Sequence, residues 1–177
     1  MSSTWKGAPR HSMLTAFVHF SPTDRNPKLP SDQWIVENCV IDQVRAVYQY
    51  DYAKGLWQTG QPAKRIHFRN IRATNIDQPL RICGDKDRLL QLTLENIEIA
   101  LSTGKNAHPL IEAESFGTLR LIDVTLVNDG SRPLLVARQG NQLVWENVSG
   151  SESPRWDIED VTKVEPRAAA SLPRRMK

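Results

Sequence analysis

Two aspartates in the segment CGDKDR lie close together beside an apolar run. Two carboxyl groups held close together can share the work of hydrolysis, one as general acid and one as the base that activates water. Asp85 and Asp87 are therefore the catalytic candidates, although alternating charges around Lys86 are also typical of a solvated turn. Glu112 and Glu114 share one strand face by period two, and we expect them at the surface.

The remaining residues with reactive side chains form no motif for metal binding or nucleophilic catalysis. The four histidines are scattered, and no serine or cysteine has a partner at motif spacing. Cys39 and Cys83 belong to no CxxC pair, which argues against zinc or a disulfide framework and favours a place in or beside the core. Glycine-rich phosphate loops are absent, so the sequence predicts no metal and no cofactor.

Aromatic residues cluster in the segment RAVYQYDYAKGLW. Tyr48, Tyr50 and Tyr52 share one strand face by alternation, and Trp57 follows in a predicted loop. Aromatic rings stack on the apolar face of a sugar at low entropic cost, so these four residues are predicted substrate contacts. The alternative is that the tyrosines cover the flank of the fold or pack beneath the loop.

Charge favours an anionic partner. The chain has a net charge of +3, and residues 54–88 contain eight basic residues against three acidic ones. Arginine binds a carboxylate through two parallel hydrogen bonds, so a partner that carries carboxylates is predicted, with Arg81 as a further contact. A solvated outer strand face would also explain these charges. No recognition-helix pattern and no run of 18 apolar residues is visible, so neither nucleic acid nor membrane is expected.

A repeated phrase indicates how these residues are positioned. Alternating apolar residues surround one polar residue in WIVENCVID, IHFRNIRAT, LTLENIEIA, LRLIDVTLV and LVWENVSGS, at intervals of 24 to 32 residues. The alternation predicts strands, and its phase shifts by one residue at the polar position, which is therefore a corner. Asparagine tolerates the left-handed conformation and can hydrogen-bond the next copy of itself. The predicted corner residues are Asn38, Asn70, Asn96, Asp123 and Asn147.

Strands this short cannot pair within one repeat, so we expect each to pair with its counterpart in the next repeat. The sequence therefore predicts an all-β fold, a parallel β-helix of about five coils, with about three strands per coil. A β-sandwich would need hairpin turns, of which only NDG at residue 128 fits. Residues 34–150 are the predicted coils, residues 1–33 an irregular first segment or cap, and residues 151–177 a polar, partly disordered tail.

The phrases WIVENCVIDQV, IHFRNIRATNIDQPLRICGDKD and LQLTLENIEIAL resemble the C-terminal coils of glycoside hydrolase family 28, the polygalacturonase-like enzymes. The resemblance implies a right-handed, pectin-lyase-like β-helix acting on an acidic polysaccharide of the galacturonate type, in a family usually secreted or periplasmic. The family's NTD, DD, GHG and RIK motifs are absent, and Cys83 stands where the RIK motif has lysine. No catalytic residue of the family carries over to this chain.

Two hypotheses follow. The chain is either the C-terminal part of a polygalacturonase-like hydrolase that is inactive alone, or a complete non-catalytic β-helix that binds carbohydrate or serves as a structural module. In both cases the first coil leaves a strand edge open, which invites association. We expect an end-to-end homodimer, or cover from the proline-rich start or from N-terminal coils outside this sequence. The compartment is not predicted, since no signal peptide is seen.

Overall fold

Alternating apolar residues form strands through most of the described chain. The computed structural model describes residues 3–6, 15–18, 33–51, 64–84, 86–87, 89–102, 108–127, 132–150 and 155–167. The strands in these ranges are β1 (Ser3–Lys6), β2 (Thr15–Val18), β3 (Gln33–Asp42), β4 (Ala46–Asp51), β5 (Arg65–Ile76), β6 (Leu80–Cys83), β7 (Leu90–Leu101), β8 (Ile111–Val127), β9 (Leu135–Ser149) and β10 (Trp156–Arg167).

Every strand pairing in the described residues is parallel and joins strands from successive repeats. β3 pairs with β5 and β5 with β7, while β4 pairs with β6. β6 then pairs with the first part of β8, and β7 pairs with its remainder. β8 thus continues around a corner and joins two stacks of strands, so that the sheet nearly closes on itself.

The corners lie at non-glycine residues with left-handed backbone. Asn38, Asn70, Asn96, Asp123 and Asn147, which we call the asparagine column, have φ angles of 56°, 55°, 52°, 53° and 55°. Each reverses the in-and-out alternation, so apolar side chains face inward on both sides of the corner. All five residues that the sequence predicts as corners thus have left-handed backbone.

Apolar side chains in register stack into one continuous core. Ile66, Leu92, Leu119 and Leu143 follow one another across four strands, and none is more than 3% exposed. Such stacking compensates for the small core of each repeat, because neighbouring repeats supply the partner surface that one repeat lacks. The fold is therefore all-β and parallel, an arrangement compatible with the predicted β-helix, and the described residues contain no antiparallel hairpin pairing.

Strands are also present outside the predicted coil region of residues 34–150. β1 and β2 lie within residues 1–33, where they pair with β3 and β4. β10 lies within the predicted polar tail and pairs with β9 from Trp156 to Arg167. Its composition is polar because most of its residues are exposed, which conceals the strand pattern. The described residues contain no helix long and apolar enough to cross a membrane.

Gly140 provides a test of the core packing. It lies opposite Phe116 on the neighbouring strand, and a Cβ on Gly140 would overlap the Phe116 ring. Because that ring is only 1% exposed and has little room to move, we expect Gly140→Ala to lower the free energy of unfolding by about 1–3 kcal/mol. Urea denaturation followed by circular dichroism measures this change.

Phe116→Leu in the Gly140→Ala background is the control, because the smaller side chain makes room for the added methyl group. We expect the double variant to lose less free energy of unfolding than the sum of the losses in the two single variants. Additive effects would contradict the contact as the cause.

Candidate functional site

The side chains of the asparagine column are hydrogen-bonded from one repeat to the next. Asn70 Nδ2 donates to Asn38 Oδ1 at 3.0 Å, Asn96 Nδ2 donates to Asn70 Oδ1 at 2.8 Å, and Asn147 Nδ2 donates to Asp123 Oδ1 at 2.8 Å. Each bond runs in the same direction, from the later repeat to the earlier one. The corner side chains are therefore hydrogen-bonded at three of the four steps along the column.

The chain of hydrogen bonds is interrupted between Asn96 and Asp123. The two residues are stacked, since Glu95 pairs with Ile122 and Ile97 with Val124. An ionised aspartate accepts hydrogen bonds but has no proton to donate, so Asp123 cannot supply a bond to the Asn96 carbonyl oxygen. The column is thus divided into a segment of three amides and a segment of one aspartate and one amide.

An open groove runs beside the first segment of the column. It has a volume of about 290 Å³ and is lined by Asn38, Cys39, Val40, Asn70, Ile71, Arg72, Asn96 and Glu98. Within the column, an amide that gives one hydrogen bond still keeps a second N–H donor and a second acceptor lone pair. Because all three asparagines are exposed, these unused groups are available to a ligand in the groove.

Ion pairs between repeats flank the groove and cover the adjacent strands. Arg72 Nε lies 3.0 Å from Glu98 Oε2, and these side chains are 70% and 54% exposed. Equivalent pairs join arginine or histidine to glutamate across strands elsewhere, namely Arg69 with Glu37, His67 with Glu95, and Arg138 with Glu159. Exposed pairs of this kind contribute about 0–1 kcal/mol each, so a ligand can replace one partner at low cost.

The aromatic cluster is not a surface platform. Tyr48 and Tyr50 are 2% and 0% exposed, and the Tyr48 ring packs against Phe68 with centroids 5.0 Å apart. Burial and the neighbouring Tyr50 raise the pKa of the Tyr48 hydroxyl. The prediction that these two rings contact sugar is therefore wrong: the alternation that places both on one strand face turns that face inward. Tyr52 and Trp57 lie outside the described residues.

The predicted catalytic pair and basic cluster are only partly described. Asp87 is exposed, and Asp85 lies outside the described residues. Arg81 is half-buried, with its Nε 3.5 Å from Glu112 Oε2, and Gln78 donates to the same oxygen at 3.4 Å. The described residues contain no group of His, Cys, Asp or Glu that could hold a metal ion. Both cysteines are buried, and neither forms a disulfide within the described residues.

A second column of corners escaped the sequence analysis. Ser115, Gln139 and Asp160 also have left-handed φ angles, of 54°, 53° and 52°, and Ser115 Oγ donates to Gln139 Oε1 at 3.2 Å. No repeated letter marks this column, because three different polar residues occupy it. The only signal available was its fixed distance of eight residues before the anchors at Asp123 and Asn147.

Comparison with known proteins identifies no relative. No family model matches the chain, and neither a curated protein nor a solved structure matches it. The resemblance to polygalacturonase-like enzymes therefore stays a prediction, and the site has to be interpreted from its own geometry.

The interruption at Asp123 provides a test of the column. In Asp123→Asn the new Nδ2 can donate to Asn96 Oδ1, in the direction of the other bonds, while the corner keeps a residue that tolerates the left-handed conformation. We expect the free energy of unfolding to rise by about 0.5–1.5 kcal/mol, the value of one hydrogen bond. Urea denaturation followed by tryptophan fluorescence measures it.

Asn96→Asp is the matched control. It removes the bond from Asn96 to Asn70 and places a carboxylate beside Asp123, so it should lower stability. Equal effects of the two substitutions, or a loss of stability in Asp123→Asn, would refute the role assigned to the column.

Proposed function

We propose that the chain is a non-catalytic module that binds acidic polysaccharide and is built as a right-handed parallel β-helix of about five coils, similar to the C-terminal coils of polygalacturonase-like enzymes. The binding site is the groove beside Asn38, Asn70 and Asn96. The ligand class follows from the groups in that groove, and the coil number and handedness follow from the repeat phrases and the resemblance they carry.

The observation that carries the proposal is the row of partly used amides. Successive strands of a sheet lie about 4.8 Å apart, so the groove presents a donor and an acceptor at each step along its length. A sugar hydroxyl is itself both donor and acceptor, and a polysaccharide repeats its hydroxyls along a chain. Asn38, Asn70 and Asn96 can therefore bind successive hydroxyls of one extended ligand.

Arg72 favours an acidic polymer over a neutral one. Its guanidinium lines the groove, and its partner Glu98 holds it through an exposed ion pair. A sugar carboxylate can take the place of Glu98 and form two parallel hydrogen bonds with the guanidinium, which a hydroxyl cannot do. Binding of this kind costs little, because an exposed ion pair contributes only about 0–1 kcal/mol.

The carboxylates around the groove support binding over cleavage. Glu37, Glu95 and Glu98 each accept from a basic side chain of a neighbouring repeat. Hydrolysis of a glycosidic bond ordinarily needs two carboxyl groups that flank the bond. Glu98 is the one carboxylate among the described residues that line the groove, and it is held in an ion pair with Arg72.

A second candidate is the C-terminal part of a polygalacturonase-like hydrolase whose catalytic motifs lie outside this sequence. The exposed side chain of Ile35, 51% accessible on β3, favours it, because a preceding coil would cover that strand. Both candidates predict binding by this chain, and they differ in what covers the edge of β3.

The test is the affinity of the full chain for galacturonate oligomers, measured by isothermal titration calorimetry, beside the same oligomers with methyl-esterified carboxyl groups. We expect Arg72→Gln to weaken binding of the acidic oligomer by about fivefold or more, since it removes a charged hydrogen-bonding partner. The affinity for the esterified oligomer should change less.

Arg138→Gln is the matched control, because it removes the same charge from an exposed ion pair that does not line the groove. Equal losses in the two variants would mean general charge attraction and would count against the groove. Release of reducing ends from polygalacturonate by the wild-type chain would disprove the non-catalytic assignment.

A further inference from the structure

The large apolar side chains that the fold leaves exposed lie mainly at the two ends of the strand stack. Among the described residues they are Trp34, Ile35 and Val40 on β3, Ile158 and Val164 on β10, and Val127 on β8. β3 and β10 are near opposite ends of the order in which strands pair. Soluble proteins usually cover or charge such ends, because an open edge pairs readily with another chain.

On β10, side chains at positions that belong to the core in the preceding strands are exposed to solvent. β10 pairs with β9 on one side, and the described residues contain no strand on its other side. Val164 is in register with Leu143, which is 0% exposed, yet Val164 itself is 40% exposed. Ile158 shows the same contrast with Ala137, at 36% against 0%. The inward-facing positions of this strand therefore lack the next layer.

At the other end, the described strand β1 covers only half of β3. β1 pairs only with the second half of β3, from Cys39 to Asp42. Residues 33–37 pair with β5 on one side, and the described residues contain no strand on the other. Val36 is half-buried in this segment, whereas Phe68, in register with it on β5, is only 2% exposed.

The two open edges match in register and charge. The strand register places Val164 of β10 at the same position in the repeat as Leu143 of β9 and Trp34 of β3. If the two edges met in this register, apolar Val164 would lie opposite apolar Trp34. Arg167 of β10 is at the same position in the repeat as Glu37 of β3, so the same contact would place these opposite charges together. Residues 163–167 correspond in register to residues 33–37. They would therefore not compete with β1, which pairs with the later part of β3.

We propose that a second copy of this chain docks head to tail, with residues 163–167 of β10 pairing in parallel with residues 33–37 of β3 in the next copy. The described residues of β10 in one copy and of β1 in the other then occupy successive stretches of the same edge of β3, without overlap. The contact is heterologous, so each copy keeps one open end and association continues beyond the dimer. This proposal does not depend on polysaccharide binding.

Sedimentation velocity of the full chain over a wide concentration range tests the proposal. We expect the average mass of the wild type to rise past that of a dimer. Ile35→Glu blocks one end, because position 35 leads to Glu165 in the docked copy and would bring two carboxylates together. Val164→Lys blocks the other end by placing a charge among apolar side chains. Each variant alone should associate at least about tenfold more weakly.

Mixing the two blocked variants is the decisive experiment. Each retains one intact end, so a head-to-tail contact predicts a heterodimer that grows no further. Val127→Glu is the control, since that side chain is 54% exposed on β8 away from both ends, and it should associate like the wild type.

A monomeric wild type overturns the proposal, and so does a mixture that stays monomeric. Association of either blocked variant alone that is as strong as that of the wild type also overturns it, because the contact would then not use the blocked end. If a blocked variant fails to fold by circular dichroism, Arg167→Glu tests the same contact at an exposed position. It should weaken association, and Arg167→Lys should preserve it.

Discussion

The fold depends on a left-handed corner that is stable only when it is stacked. A non-glycine residue in that conformation costs roughly 1–2 kcal/mol, less for asparagine, and the asparagine column contains five such corners. Each hydrogen bond from a side-chain amide to the neighbouring repeat contributes about 0.5–1.5 kcal/mol of stability, which offsets the cost at that corner. One repeat in isolation has the strain without the compensation, so the corners and the stacking of repeats form together.

In-register stacking then determines which side chains can face solvent. Residues at equivalent positions lie about 4.8 Å apart on neighbouring strands, so like charges in one column would repel and opposite charges attract. The outer surface follows this constraint, since Glu37 pairs with Arg69 and Arg72 pairs with Glu98. The same constraint leaves the groove with alternating donors and acceptors, which suits a repeating polymer better than a compact small molecule.

The sequence revealed the features that repeat in residue type and missed those that repeat only in geometry. Asn38, Asn70 and Asn96 could be predicted as corners because one letter recurs within one phrase. Ser115 and Gln139 could not, because the corner tolerates several polar residues. Tyr48 was predicted at the surface but is buried, because alternation identifies residues that share a strand face and does not show whether that face points inward or outward. The groove itself could not be predicted, since the repeat phrases do not show which side chains, such as Arg72 and Glu98, line one surface with the asparagines.

A parallel stack contains no internal rule that stops it. The register, corners and ion pairs that join one repeat to the next apply equally at the last strand, so termination requires a segment that covers the end or a second molecule that continues it. Continuation would also affect binding. A polysaccharide offers many equivalent units, and several grooves joined in one particle would engage it with an effective concentration that a single groove lacks. Weak binding by one exposed arginine and a few amides would then be sufficient for stable attachment.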